Sequence, residues 1–311
     1  MKRIIPLLLI LTGAISFGFC QNPVLQLKNE TAGITVPKTT DTVKKAWNTG
    51  GLISINISQG SQSNWAAGGD NFSFAATGLF NGFANFSKGK SFWDNAANVA
   101  YGYLNTTTLG ARKNQDQYDL TTKYGYSAGH HWYYTFMADF RSQFSNGYLY
   151  TANQPPQFNS AFLSPAYLLL SLGMEYKPND SFSVFISPLT SRWTFVMNDS
   201  LSFYGKYGVN SGAHSLNQIG AFLSINYIVP LSRVLSYTTR LDLFSNYEKD
   251  PLALDVYFTN LVAIKLGKYL AATLIVNLIY DNNILFPDGQ GRMIPRLQFQ
   301  ELTGVGFSYK F

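Results

Sequence analysis

The sequence predicts an all-β protein: a transmembrane, up-and-down antiparallel β-barrel of about twelve strands. Three observations predict it. Apolar and polar residues alternate with period 2 through most of the chain. Short joints alternate with long ones between these segments. The last segment, "GVGFSYKF", is itself a strand pattern running to Phe311, with Val305, Phe307, Tyr309 and Phe311 set against Gly304, Gly306, Ser308 and Lys310.

The chain opens differently. "MKRIIPLLLILTGAISFGFCQN" has a basic start at Lys2 and Arg3, then an apolar run, then Gln21. Residues 1–20 read as a secretory signal peptide. Gly18 and Cys20 are small enough to precede a cleavage site, and acylation of Cys20 in a lipoprotein is the other reading. Cleavage after Cys20 removes the one cysteine, so no disulfide holds the mature chain. Residues 21–50 show little alternation and carry Lys, Thr and Pro. They read as a periplasmic N-terminal segment, either partly plugging the barrel or without fixed structure.

The barrel is expected over 51–311, with strands near 51–60, 71–87, 91–105, 115–127, 131–146, 165–177, 181–197, 216–228, 233–247, 252–267, 269–282 and 296–311. In "YDLTTKYGY", Tyr118, Leu120, Thr122, Tyr124 and Tyr126 share one face, opposite Asp119, Thr121, Lys123 and Gly125. "WYYTFMADFRSQF" sets Trp132, Tyr134, Phe136, Ala138 and Phe140 against Tyr133, Thr135, Asp139 and Arg141. "YLLLSLGMEY", "QIGAFLSINY" and "YLAATLIVNLIYD" repeat the pattern. Pro188 disturbs the segment 181–197, because proline cannot donate to a ladder. Splitting that segment would put a long loop on the wrong end, so twelve is the consistent count.

"SKGKS", "SAGHH", "KPND", "IVPLS" and "GK" are the short joints, and "GSQSNWAAGGD", "NTTTLGARKNQ" and the stretches near 145–165, 197–215 and 282–296 are the long ones. Tight periplasmic turns and long extracellular loops fit this asymmetry. Outward aromatics form two girdles. Tyr124, Tyr126, Trp132, Tyr134, Tyr176, Tyr227, Tyr309 and Phe311 lie near the short turns. Phe72, Tyr103, Tyr118, Phe144 and Tyr280 lie near the long loops. The final strand is expected to close on the first, near Ile53, Ile55 and Ile57, leaving no edge.

Composition agrees. Charged residues are 13% and aromatics 16%, against about 25% charged in an ordinary soluble chain. No apolar run of about 18 residues follows the leader, so no spanning helix is expected. The net charge of +6 becomes 21 minus 17, or +4, once Lys2 and Arg3 are removed. The basic residues are dispersed, which gives nucleic acid no footprint.

Four stretches, "SQSNWAAGGDNFSF", "SPAYLLLSLGMEYKPNDSFSVFISPLT", "LDLFSNY" and "PRLQFQELTGVGFSYKF", resemble a family of Gram-negative outer-membrane proteins known only as a domain of unknown function. The resemblance covers roughly 46–311, and is most specific at Asn64–Gly69 and at the C-terminal segment. It implies an outer-membrane barrel in a Gram-negative bacterium and brings no catalytic residues. The closing "GFSYKF" also resembles the signal by which the barrel-assembly machinery takes up its clients, which names that machinery and outer-membrane lipids as partners. Unknown envelope proteins are further candidate partners.

Chemistry is sparse. Outer-membrane phospholipases on twelve-stranded barrels resemble one another in a His-x-Ser pair with a nearby Asn. Here Ser63 and Asn64 have Ser61 where the histidine belongs. His214 and Ser215 are adjacent and so face opposite sides of a strand. His130 and His131 read as a solvated turn, and Asp281 with Asp288 as a turn or a loop calcium site. No cofactor or metal is expected. Asp119, Lys123, Asp139, Arg141, Glu175, Arg240, Asp242, Asp255, Lys265 and Asp281 are expected to line the lumen. They make either a paired network that fills a narrow barrel or the lining of a selective pore. Trp65 is placed in the first long loop, as a lumen cap or a partner contact. The expected function is a non-enzymatic outer-membrane barrel, either a narrow channel or a structural component of a surface complex. An outer-leaflet lipid hydrolase is the alternative.

Overall fold

A computed structural model of the protein describes residues 46–61, 72–150, 154–179, 181–267, 270–282, 285–287, 290 and 292–310. The signal-peptide reading of 1–20 and most of the segment 21–50 lie outside them. Twelve strands form one closed antiparallel ring. They are β1 (Trp47–Ser61), β2 (Phe72–Lys88), β3 (Ser91–Thr106), β4 (Gly110–Gly129), β5 (Trp132–Ser142), β8 (Ala166–Asn179), β9 (Phe182–Phe195), β10 (Ser215–Pro230), β11 (Leu235–Asn246), β12 (Asp250–Lys265), β13 (Leu270–Tyr280) and β16 (Gln298–Lys310). Two hairpins stand outside the ring: β6 (Gly147–Leu149) with β7 (Gln157–Ser160), and β14 (Leu285–Pro287) with β15 (Met293–Pro295).

Closure is by β1 on β16, with Ile53 opposite Tyr309 and Ile55 opposite Phe307. Every strand thus has two neighbours, and no row of backbone donors is left on an edge. Neighbouring strands in the ring follow chain order, which makes an up-and-down barrel.

What faces outward is apolar. Ile53, Ile55, Ile57, Leu120, Phe136, Leu172, Ile186, Leu189, Val305 and Phe307 are all exposed, Phe307 by 71%. What faces inward is polar: Asp119 and Asp139 are each 3% exposed, Glu175 2% and Gln117 1%. A barrel in water has the opposite arrangement. Hydrocarbon is the solvent that the outer face fits, so the barrel is a transmembrane one of the outer-membrane type. Trp93 and Tyr103, both outward on β3 and both exposed, mark its height. The ten residue steps from one to the other span ~34 Å of strand, or ~26 Å along the normal at a ~40° tilt, close to the ~25 Å apolar band of such barrels.

The joints differ from expectation in two places. Residues 107–109 form a tight turn, and β4 begins at Gly110 rather than near 115. Paired backbone carries on through "GARKN" because a bulge at Asn114 absorbs the misfit: Gly102 faces Gln115, and Tyr103 faces Lys113. β1 likewise begins at Trp47, so the barrel takes in residues assigned to the N-terminal segment. Trp47 pairs with Phe86 and packs on it at 5.2 Å, and on Trp93 at 5.8 Å. These aromatic contacts hold the extra turn of strand. His130 and His131 both sit at positive φ (51° and 65°), the geometry of a two-residue hairpin between β4 and β5.

β9 is one strand with a bulge at Pro188. Thr190 faces Gly220 while Ser187 faces Phe222, and Leu189 faces Leu172 while Ile186 faces Met174. Ser187 Oγ donates within the bulge to the carbonyls of Leu172 (2.8 Å) or Leu189 (2.9 Å), and Thr190 Oγ1 lies 2.9 Å from Ser171 Oγ. Gly173 makes room for it, since a Cβ there would lie 2.0 Å from the Ile186 carbonyl oxygen.

At the long-loop end, α1 (Asp199–Phe203) and a 3-10 turn (Lys206–Gly208) pack with β7. Ala161, Val196, Leu201 and Val209 form a small core there, flanked by Phe158, Tyr207 and Leu216. Asn198 caps α1 by accepting from the Leu201 amide at 3.1 Å. Tyr207 donates to the Asn159 carbonyl at 2.5 Å, and burial raises its hydroxyl pKa.

Candidate functional site: a lumen in two parts

The inner wall contributed by β4 to β12 is packed. Met137, Phe185, Phe222 and Phe244, from β5, β9, β10 and β11, meet in a buried apolar cluster with Leu169 of β8 against it. Charged side chains stand on this cluster. Lys123 lies 5.5 Å from the Phe185 ring centre and Arg192 4.1 Å from that of Phe244.

Three of the lumen ion pairs bridge strands that are not neighbours, and the others lie within one strand or between adjacent ones. Lys123 of β4 reaches Glu175 of β8 at 3.1 Å. Lys177 of β8 reaches Asp94 of β3 at 3.0 Å. Arg192 of β9 reaches Asp255 of β12 at 2.8 Å and donates twice to Gln218 Oε1, at 2.9 and 2.7 Å. Arg141 lies between Asp119 (2.8 Å) and Asp139 (2.6 Å), while Thr121 Oγ1 is 2.9 Å from Asp139 and 3.2 Å from Asp119. Arg240 holds Asp242 at 2.9 Å. Tyr257 donates to Asp281, and Asp255 accepts from the Asn282 amide at 2.9 Å. Such bars across a barrel keep its walls at fixed separation, and each buried charge finds the partner its desolvation demands.

Nine of the ten residues expected to line the lumen therefore stand in this packed network. Lys265 does not: its side chain is exposed at the short-turn mouth, where β12 ends. Arg192, Lys177 and Asp94 belong to the network and were not among the expected residues.

The wall contributed by β2 is different. Its seven inward positions, Ser73, Ala75, Thr77, Leu79, Asn81, Phe83 and Asn85, are all partly accessible, and none is buried. A mid-strand inward residue can be accessible only if the lumen beside it admits water. The seven span ~41 Å of strand, or ~31 Å along the normal at ~40° tilt, the full depth of a bilayer core. None carries a charge. Asn81 donates to Asn98 of β3 at 2.8 Å, and beyond it β3 offers Ala96 and Ala100.

The outward aromatics are placed as follows. Tyr124, Tyr126, Tyr134 and Tyr227 are exposed toward the short-turn end. Trp132 and Tyr176 pack on each other at 5.1 Å. Tyr118 packs on Phe144 at 4.7 Å and Phe140 at 6.1 Å. Trp65, Phe311 and the side chain of Tyr309 lie outside the described residues, as does the Asn64–Gly69 run. His214 Nδ1 bonds the Val196 carbonyl at 2.8 Å, and its Nε2 lies 3.6 Å from exposed Asp199. Among the described residues no three metal-ligating side chains gather.

Comparison with curated proteins gives no match. Solved structures similar to the chain include the COG4313 outer membrane channel from Pseudomonas putida F1, at 10% identity over 89% of this chain and 100% of that one, TM-score 0.41. The NanC porin matches at 9% identity over 84% and 100%, TM-score 0.39. A Pseudomonas aeruginosa FadL homologue matches at 9% over 94% of each chain, TM-score 0.31. Likenesses this distant carry nothing over to the lumen of this barrel. Residues 57–148, from β1 into β6, match the model of a family described as a protein of unknown function (DUF3078), which bears out, over that stretch, the resemblance read from the sequence.

Proposed function

We propose that the protein is a narrow channel of the Gram-negative outer membrane, with its route displaced to one side of the barrel, along β2. The observation that carries this reading is the unbroken accessible line from Ser73 to Asn85, set against a buried network on the β4–β12 wall. The packed wall is the frame, and the uncharged wall is the path. A lining of hydroxyl, amide and apolar groups, the last including Leu79 and Phe83, offers no single-sign ring, so ion selectivity is weak and the fitting solutes are small and uncharged. The alternative of a lipid hydrolase finds no support at His214: among the described residues its side-chain contacts are the Val196 carbonyl and Asp199, and no serine hydroxyl is bonded to it as a nucleophile. A scaffold role in a surface complex is favoured by one feature, the exposed loop aromatics Phe162, Phe203 and Tyr204.

Recording from single molecules in planar bilayers tests the channel. Small, reproducible conductance is expected, and Asn81→Trp should cut it by half or more by filling the path. Electrical silence of the folded protein, or an unchanged conductance in Asn81→Trp, would remove the channel reading.

A further inference from the structure

The charges at the two ends of the barrel differ in kind. At the long-loop end, signs are mixed: Arg112, Lys113, Lys206, Lys249, Arg292 and Arg296 stand with Asp116, Asp199 and Glu248. At the short-turn end, the exposed charges among the described residues are Lys88, Lys90, Arg233 and Lys265, all positive; just inside it, Lys177 faces Asp94 and Lys123 faces Glu175. Lys88, Lys90, Arg233 and Lys265 are exposed, and among the described residues none of the four is in an ion pair. The sequence adds one charge of each sign to the same turns, Asp180 and Lys268.

These cations are set at a particular height. Lys88 follows outward Phe86 by two residues, Lys90 precedes outward Trp93 by three, and Arg233 follows outward Tyr227 by six. Outward aromatics mark the carbonyl and headgroup level of a leaflet. Side chains a few residues beyond that level, on long flexible stems, reach the phosphate plane. The four exposed cations come from three different turns, β2–β3, β10–β11 and β12–β13, so the positive charge is spread along the rim rather than gathered at one turn.

We propose that the short-turn end is a cationic rim that gathers anionic phospholipids of the adjoining leaflet around the barrel. The lipids are recognised by headgroup charge, through Lys88, Lys90, Arg233 and Lys265, with the nearby aromatics seated among their glycerol backbones. The proposal rests on the membrane reading of the outer band and is independent of the channel.

Intrinsic tryptophan fluorescence tests it, because Trp47 and Trp93 are exposed at this end. The full chain is reconstituted in phosphatidylcholine vesicles containing either brominated phosphatidylcholine or brominated phosphatidylglycerol. Quenching by both lipids reports that the band faces hydrocarbon; the difference between them reports the rim. Brominated phosphatidylglycerol should be preferred by on the order of fivefold at low salt, and 0.5 M salt should largely erase the preference, as screening there leaves a Debye length of only ~4–5 Å. The variant Lys88→Ser/Lys90→Ser/Arg233→Ser/Lys265→Ser should lose it while keeping native gel mobility, since all four side chains are exposed. Equal quenching by the two lipids in the unaltered protein would overturn the proposal and leave an acidic protein as the partner this rim fits. A preference that survives in the variant would overturn it too.

Discussion

Removing Arg141 should cost more than removing any other single lumen charge. Its guanidinium lies 2.8 Å from Asp119 and 2.6 Å from Asp139, and the two carboxylates are 3% exposed. In Arg141→Ala both carboxylates lose their shared cation, and Thr121 Oγ1 is left with one proton for two acceptors. Breaking a buried ion pair costs ~3–5 kcal/mol. Two pairs sharing one cation do not add, and one carboxylate can take up a proton. The expected loss is therefore about 4 kcal/mol rather than twice that. Urea unfolding in lipid vesicles, followed by tryptophan emission and by the mobility of folded protein on cold gels, measures it. Removing the charges together, as Asp119→Asn/Asp139→Asn/Arg141→Met, should recover more than half of the loss, because no uncompensated charge remains. A loss below about 1 kcal/mol in Arg141→Ala would refute the reasoning. So would a triple variant no more stable than the single one.

Further perturbations separate the wall, the bulge and the outer face. Gly173→Ala should cost about 3 kcal/mol in the same unfolding assay, since its Cβ would lie 2.0 Å from the Ile186 carbonyl across the Pro188 bulge; Gly78→Ala, with its nearest neighbour at 3.8 Å, should be close to neutral. Ile55→Arg puts a charge on the outward face near the middle of β1 and should cost ~2–4 kcal/mol in a bilayer; a neutral result there would mean that this face does not meet hydrocarbon.

Much of the barrel is legible in the sequence because one periodicity carries it. A strand that meets lipid on one face and a polar interior on the other must alternate, and "YDLTTKYGY" and "WYYTFMADFRS" do so without interruption. The inward placement of Asp119, Lys123, Asp139, Arg141 and Glu175 follows from that parity alone. Arg192 escapes it because the Pro188 bulge changes the phase. Phe185 and Ser187 point inward at odd positions, Thr190 and Arg192 at even ones. A single period drawn through 181–197 cannot hold both. The apolar cluster of Met137, Phe185, Phe222 and Phe244 is hidden for another reason. An inward hydrophobe among outward hydrophobes leaves no contrast to read, and only the register of five strands brings these side chains together. Strand ends are weakly written as well. Trp47 joins β1 because Phe86 and Trp93 are beside it, and both belong to other strands. The accessible line along β2 has no signature in the sequence, since its seven residues are uncharged and Leu79 and Phe83 among them break the polar side of the alternation; it emerges only when the opposite wall is seen to be full.

The central claim is that the apolar faces meet hydrocarbon while the inward faces divide into a packed wall and a wet one. Spin labels placed one at a time along β2 from Ser73 to Phe86, and along β5 from Tyr133 to Arg141, with the barrel reconstituted in vesicles, test it most directly through their accessibility to oxygen and to a water-soluble nickel chelate. Even positions on both strands should favour oxygen, odd positions on β2 should favour nickel, and odd positions on β5 should be closed to both. A reversed phase, or odd positions on β2 as closed as those on β5, would contradict the account.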